Sequence, residues 1–220
     1  MTRRPELPRI AAAALSVALR YPEAAIIARR DELAAMAASA SSSPSGVALA
    51  AFLAWWASVP AGELERTYVE TFDLHRRASL YLTWYLHGDR RQRGQEFVRL
   101  KHLYESSGQI LTGRELPDFL PLMLEFTAMD PGTGKAMLAD LRVALELLRA
   151  ALHEIDSPYA LAIDSICLEI PALDQGGSEL VRRLAAEGPP GEQVGLEPYG
   201  PVEAMPGSVW SESTLSGTTR

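Results

Sequence analysis

Lys135-Ala-Met-Leu-Ala-Asp-Leu-Arg-Val-Ala-Leu-Glu-Leu-Leu-Arg-Ala-Ala-Leu-His-Glu-Ile155 carries the clearest periodic signal in the chain. Leu138, Leu141, Leu145, Leu148, Leu152 and Ile155 follow one another at steps of three and four residues. That spacing returns side chains to one face of a helix with 3.6 residues per turn. Such a stripe is a core face. No segment alternates apolar and polar residues as a half-buried strand would. The expected fold is therefore all-α.

Working outward, residues 158–169 read as the last well-packed helix, with a short helix over 179–186. On the other side, Asp130-Pro-Gly-Thr-Gly134 reads as a helix-to-helix turn. It closes a helix that opens at Glu115-Leu-Pro-Asp118 and reaches Met129. Proline suits a first helical turn, and an aspartate beside it caps free N–H groups. Earlier segments read as helices over 9–20, from Pro22 through Met36, from Gly46 to Pro60, over 61–72, over 79–86 and over 93–106. The breaks between them are rich in Ser, Gly or charge. Two regions result: a compact helical domain over 1–187, and a flexible, acidic tail rich in Gly, Pro and Ser over 188–220. The tail has too little apolar surface to offset the entropy of ordering it. Arg3-Arg4 followed by the apolar run 10–19 has the outline of a targeting segment, but Pro5 and Pro8 interrupt the approach and no small-residue cleavage site follows. The run is read as the first helix.

Bulk properties narrow the function. A chain of 220 residues with a hydrophobic fraction of 47% can bury a real core. With 28 Asp plus Glu against 21 Lys plus Arg, the formal charge is -7, which gives no general attraction to nucleic-acid phosphates. The single cysteine, Cys167, lies in an apolar run. It cannot form an internal disulfide and reads as a buried small residue. His75, His87, His102 and His153 form no His-x-x-x-His pair, and no Cys-x-x-Cys exists, so no metal site is expected. Neither a Walker-type glycine loop nor a Gly-x-Ser-x-Gly elbow is present. No catalytic residues are assigned.

Two segments exceed what packing requires. In the first, Tyr68-Val-Glu-Thr-Phe-Asp73 and Ser79-Leu-Tyr-Leu-Thr83 precede an arginine-rich stretch. Arg76, Arg77, Arg90 and Arg93 are candidate contacts for an anion or cofactor, or structural partners of Asp73 and Asp89. The second is Glu115-Leu-Pro-Asp-Phe-Leu-Pro-Leu-Met-Leu-Glu125, in which capping explains Asp118 but not Glu115.

Together with Leu19-Arg20-Tyr21-Pro22, Gly88-Asp89-Arg90, Arg93-Gly94 and Leu124-Glu125-Phe126, these segments resemble the nitrate reductase molybdenum cofactor assembly chaperones of the NarJ type, within the TorD/DmsD superfamily. The likeness covers about residues 15–170. It implies a compact TorD-like helical fold without enzymatic activity, acting in the cytoplasm. It also implies a partner: the apo catalytic (alpha) subunit of nitrate reductase, held by its N-terminal peptide until bis-molybdopterin guanine dinucleotide is inserted. No permanently bound cofactor, no nucleic acid and no stable membrane insertion are implied, and the oligomeric state is monomer or weak dimer. In the superfamily the segment matching 115–118 is linked to partner binding and is followed by a histidine. Phe119 stands at that place here, which weakens any proton-transfer or guanine-nucleotide role for this position.

A helix-in-groove complex needs apolar walls and a charged rim. Phe72, Tyr81, Leu116 and Phe119 are the candidate walls, with Pro117 between them. Asp73, Glu115, Asp118 and Glu125 are the candidate acidic rim for a basic peptide. On this reading Glu115→Ala and Asp118→Ala weaken peptide binding with little loss of thermal stability. Competing readings are a nucleotide- or phosphate-binding helical protein using the Arg76 to Arg93 cluster, a chaperone for a different molybdoenzyme, and a helical adaptor unconnected with such enzymes.

Overall fold

The computed structural model describes residues 9–40, 42–113 and 115–188, and among these it is helical without a β-strand. The helices are α1 (Arg9–Ala18), α2 (Ala24–Ile27), α3 (Arg30–Ala38), α4 (Pro44–Ser58), α5 (Ala61–Tyr68), α6 (Leu82–His87), α7 (Arg91–Ser106), α8 (Leu120–Met129), α9 (Pro131–Asp140), α10 (Arg142–Glu154), α11 (Ala160–Glu169) and α12 (Gln175–Glu187). A π-helical turn, Val69–Asp73, continues α5. The tail expected over 188–220, apart from Gly188, and the Arg3-Arg4 pair lie outside the described residues.

The apolar run after Arg9 becomes α1, a core helix packed on α8, with Ala12, Leu15, Ala18 and Leu19 fully buried. Helix α4 lies between α3 and α11. It starts two residues before the glycine expected to open it, because the Ser43 hydroxyl accepts from the Gly46 N–H (3.1 Å) and Pro44 fills the first position. Ser45 in that first turn donates to Glu169 at the end of α11, tying one helix start to another helix end.

The leucine stripe is buried as expected, but two helices share it. Leu138 lies on α9 and Leu145, Leu148 and Leu152 on α10, with Leu141 between them. Asp130-Pro-Gly-Thr-Gly134 belongs mostly to α9. Asp130 closes α8 and then caps α9, its carboxylate accepting from the Thr133 N–H at 3.2 Å and the Ser107 hydroxyl at 2.9 Å. A Cβ on Gly134 would come within 2.4 Å of the Thr127 side chain, so this position must stay bare for α8 and α9 to meet. The segment from Pro22 to Met36 is two helices, broken at Ala28 and Arg29. Helix α12 is longer than the 179–186 expected. Asp174 caps it through the Gly177 N–H (2.7 Å), so a glycine pair that reads as loop in sequence sits in a first turn. It packs on α10, where Leu184 is buried.

None of the described helices is long and apolar enough to cross a membrane.

Candidate functional site

The irregular backbone gathers at one place. Residues 78–81 are not helical, although the sequence suggested a helix from Ser79. They run beside 118–120 instead: Leu82 N–H donates to the Asp118 carbonyl (3.1 Å), Leu120 N–H donates to the Leu80 carbonyl (2.8 Å), and Tyr81 faces Phe119 in an isolated antiparallel bridge. Consequently α8 begins at Leu120 rather than at Glu115. The same pairing presents Tyr81 and Phe119 side by side, with ring centroids 5.1 Å apart.

Those two rings, the π-helical turn and the segment after α1 enclose a cleft of about 490 Å³. Its aromatic lining is Tyr21, Tyr68, Phe72, Tyr81 and Phe119, with Leu80 and Ile26 as aliphatic neighbours. Tyr68 meets Phe72 at 4.8 Å and Tyr21 edge-on at 5.5 Å, so three of the rings pack together while Tyr81 and Phe119 form a separate pair. A π-turn widens the helix by one residue per turn and is common at functional sites. Here it sets Phe72 and Asp73 together on the wall. Glu23, Asp73 and Glu115 place three carboxylates on the lining against one guanidinium, Arg20. That cation is engaged elsewhere, its Nη2 lying 2.7 Å from Glu125 and its Nε donating to the Ser16 carbonyl. The Tyr81 hydroxyl donates to Glu115 (3.2 Å). Burial, then the Glu115 charge and this hydrogen bond, push the Tyr81 phenol up to about 12. Burial raises the Tyr68 phenol as well. Both remain neutral at physiological pH, and the cleft's negative charge comes from carboxylates alone.

Of the partner-binding candidates, Phe72, Asp73, Tyr81, Glu115 and Phe119 line the cleft. Leu116 is exposed and outside the lining, and Pro117 is buried, its carbonyl accepting from the Tyr104 hydroxyl (3.0 Å). Glu125 contributes by holding Arg20 from outside. Asp118 corrects the sequence reading outright: its side chain is fully buried and cannot be a rim charge. One carboxylate oxygen accepts from the Thr83 N–H (3.1 Å) and hydroxyl (2.6 Å), and Arg93 approaches it at 3.5 Å. Asp118 therefore locks the 115–119 loop to α6 and α7. The cleft residues the site assignment missed are Arg20, Tyr21, Glu23, Ile26, Tyr68, Ser79 and Leu80. Arg20-Tyr21 stood in a quoted motif, yet no periodic signal ties it to the distant segments that begin at Tyr68 and at Glu115.

The candidate anion contacts Arg76, Arg77, Arg90 and Arg93 do not line the cleft. Arg93 is used internally, bonding Thr83 and lying over the Phe97 ring. Arg77 reaches towards Glu154 on α10 (3.8 Å), while Arg76 and Arg90 are exposed. Burial pushes the Cys167 thiol up to about 12, so it stays protonated. Among the described residues no group of three or more His, Cys, Asp or Glu side chains is arranged to hold a metal ion.

Known proteins can now be set beside this geometry. The nitrate reductase delta subunit family matches residues 39–163, more than half of the chain. NarJ of Bacillus subtilis is 38% identical over 153 residues, covering 69% of this chain and 83% of that protein. The nitrate reductase molybdenum cofactor assembly chaperone NarJ of Escherichia coli K12 is 37% identical over 149 residues, 66% of this chain and 63% of that protein. The nitrate reductase-like protein NarX of Mycobacterium tuberculosis is 44% identical over 101 residues, but these are only 16% of its length. A crystal structure from Archaeoglobus fulgidus, described as a redox enzyme maturation protein, superposes with a TM-score of 0.55 at 20% identity, over 73% of this chain and 91% of that one. It shares the all-α fold. The chain belongs to the nitrate reductase delta subunit family.

Proposed function

We propose that this protein is a non-catalytic assembly chaperone of the cytoplasm, whose cleft holds the N-terminal segment of an apo nitrate reductase catalytic subunit while the molybdenum cofactor is inserted. The observation that carries this reading is the cleft's composition. A floor of five rings beside an acidic lining suits an amphipathic peptide with apolar anchors and basic flanks. Buried anchors supply most of the affinity of such a complex, and exposed charges supply orientation and on-rate. Two relatives that bear the name of molybdenum cofactor assembly chaperone, at 37% and 38% identity, support the choice of client.

The cofactor itself is cargo for the client. A pterin dinucleotide carries phosphates, and three carboxylates against one engaged arginine would repel them from the cleft. Any transient contact between this chain and the cofactor would thus fall outside the cleft.

Calorimetric titration with a synthetic peptide of the catalytic subunit's first residues tests the proposal. Single-site binding at micromolar affinity is expected. Phe72→Ala should weaken it about tenfold or more, by removing a packed ring from the wall. Glu115→Ala should weaken it a few-fold, with the difference shrinking in high salt. Absence of binding, or identical affinity for Phe72→Ala, would overturn the assignment of the cleft.

A further inference from the structure

A second cavity, of about 220 Å³, lies among α1, α3, α4 and α11 and shares no lining residue with the cleft. Apolar residues, Met36 and Leu49 among them, form much of its wall. Set into that wall are three serines, Ser39, Ser45 and Ser165, and one carboxylate, Glu169. The lining contains no Lys, Arg or His among the described residues.

Glu169 is only 8% exposed. Among the described residues its carboxylate accepts from one group, the Ser45 hydroxyl. The other oxygen takes no hydrogen bond from them and is not sealed off, so it faces open space. Capping does not account for this charge. The first turn of α4 is already capped by Ser43, which accepts from the Gly46 N–H, and Glu169 reaches a side-chain hydroxyl rather than a free backbone N–H. A buried carboxylate without a cation is costly, and here a cation has room to enter. Ser165 lines the cavity four residues before Glu169, on the same side of α11.

The chemistry selects an ammonium group. An anion would be repelled by Glu169, and a neutral ligand would leave it unpaired. One carboxylate among neutral hydroxyls is a poor set for a divalent ion. A guanidinium pairs best with both oxygens of a carboxylate, and Ser45 occupies one. A primary ammonium brings three donors, for which Glu169 and the serine hydroxyls are the acceptors, while the apolar wall suits an alkyl chain. The volume is below the range of about 300–1,000 Å³ typical of drug-sized ligands.

We propose that this cavity is a second ligand site that takes a small primary alkylamine as its cation, with Glu169 as the counter-charge. It stands or falls independently of peptide binding in the cleft.

Two-dimensional amide NMR of the full chain in an amine-free phosphate buffer tests it, with n-butylammonium chloride as the probe and equal sodium chloride as the blank. Saturable shifts are expected at Gly46, Leu49 and Ser165, with a dissociation constant on the order of millimolar for so small a ligand. Butan-1-ol, which lacks the charge, should bind at least about tenfold more weakly. Glu169→Gln keeps the acceptor for Ser45 and should weaken butylammonium about tenfold or more. The butan-1-ol comparison needs no variant and decides the matter if Glu169→Gln fails to fold. A capped lysine, the same ammonium on a peptide backbone, should bind no tighter than butylammonium. Shifts confined to the aromatic cleft, equal binding of butan-1-ol, or a folded Glu169→Gln protein that titrates like wild type would each overturn the proposal. Capped lysine binding about tenfold tighter would overturn the free amine as occupant, in favour of a lysine of another polypeptide.

Discussion

The helices α9 to α11 and the wall of the cleft are held together by different means. In the first region one leucine stripe closes against neighbouring helices, and regular backbone satisfies its own hydrogen bonds. In the second, a π-turn, an extended segment and a loop are pinned by specific bonds: Asp118 to Thr83 and Arg93, Leu120 to Leu80, Tyr104 to Pro117. The regular region makes the molecule solid. The irregular region makes it concave, because three segments of non-ideal backbone cannot pack flush and must leave a gap that rings line.

The contrast can be broken by experiment. Leu148 is fully buried on α10. Leu148→Ala should cost about 2–5 kcal/mol through lost transfer energy and a residual cavity, lowering the melting temperature by about 10 °C. Asp118→Ala comes next. It leaves the Thr83 N–H and a largely buried Arg93 without their acceptor, an expected loss of about 2–3 kcal/mol in denaturant unfolding. A melting temperature unchanged by Asp118→Ala would mean that this carboxylate does not hold the wall. Phe72→Ala should cost less stability, about 1–2 kcal/mol, since Phe72 is only partly buried, while affecting peptide affinity most. If Leu148→Ala and Phe72→Ala destabilised equally, the division into a solid and a concave region would fail.

The smallest expected effect concerns Asp130. Hydrogen bonds from Thr133, through its hydroxyl and N–H, and from the Ser107 hydroxyl hold its carboxyl below the usual range. A pKa depressed in the folded state adds stability at neutral pH, and this is lost as pH falls from about 4 through the lower folded value. Asp130→Ala should therefore cost about 1 kcal/mol at pH 7. The gap between its melting temperature and that of wild type should close on acidification. A constant gap down to pH 2 would show that packing, not the ionised cap, accounts for the loss.

Much of this was legible in the sequence because helix periodicity is local. The stripe from Leu138 to Leu152 needs no knowledge of the rest of the chain. Five lining residues were legible through motif likeness. The burial of Asp118 was not, because an aspartate after Leu-Pro has the same local signature whether it caps a helix or turns inward to a threonine 35 residues away. The division of 79–86 into extended segment and helix was hidden for a similar reason. Residues 78–81 leave the helix only because 118–120 offers them backbone partners. Tyr21 and Tyr68 met the same obstacle: their contact joins the link after α1 to the end of α5, a packing no spacing rule encodes.

The rings on the floor of the cleft continue inward. Phe72 meets Tyr159 edge-on at 4.8 Å, and Tyr159 meets Trp55 edge-on at 5.3 Å. The indole on α4 is thus two ring contacts from whatever displaces Phe72. Occupancy of the cleft should alter tryptophan emission without any added dye, giving the molecule a built-in optical gauge of whether its groove is full.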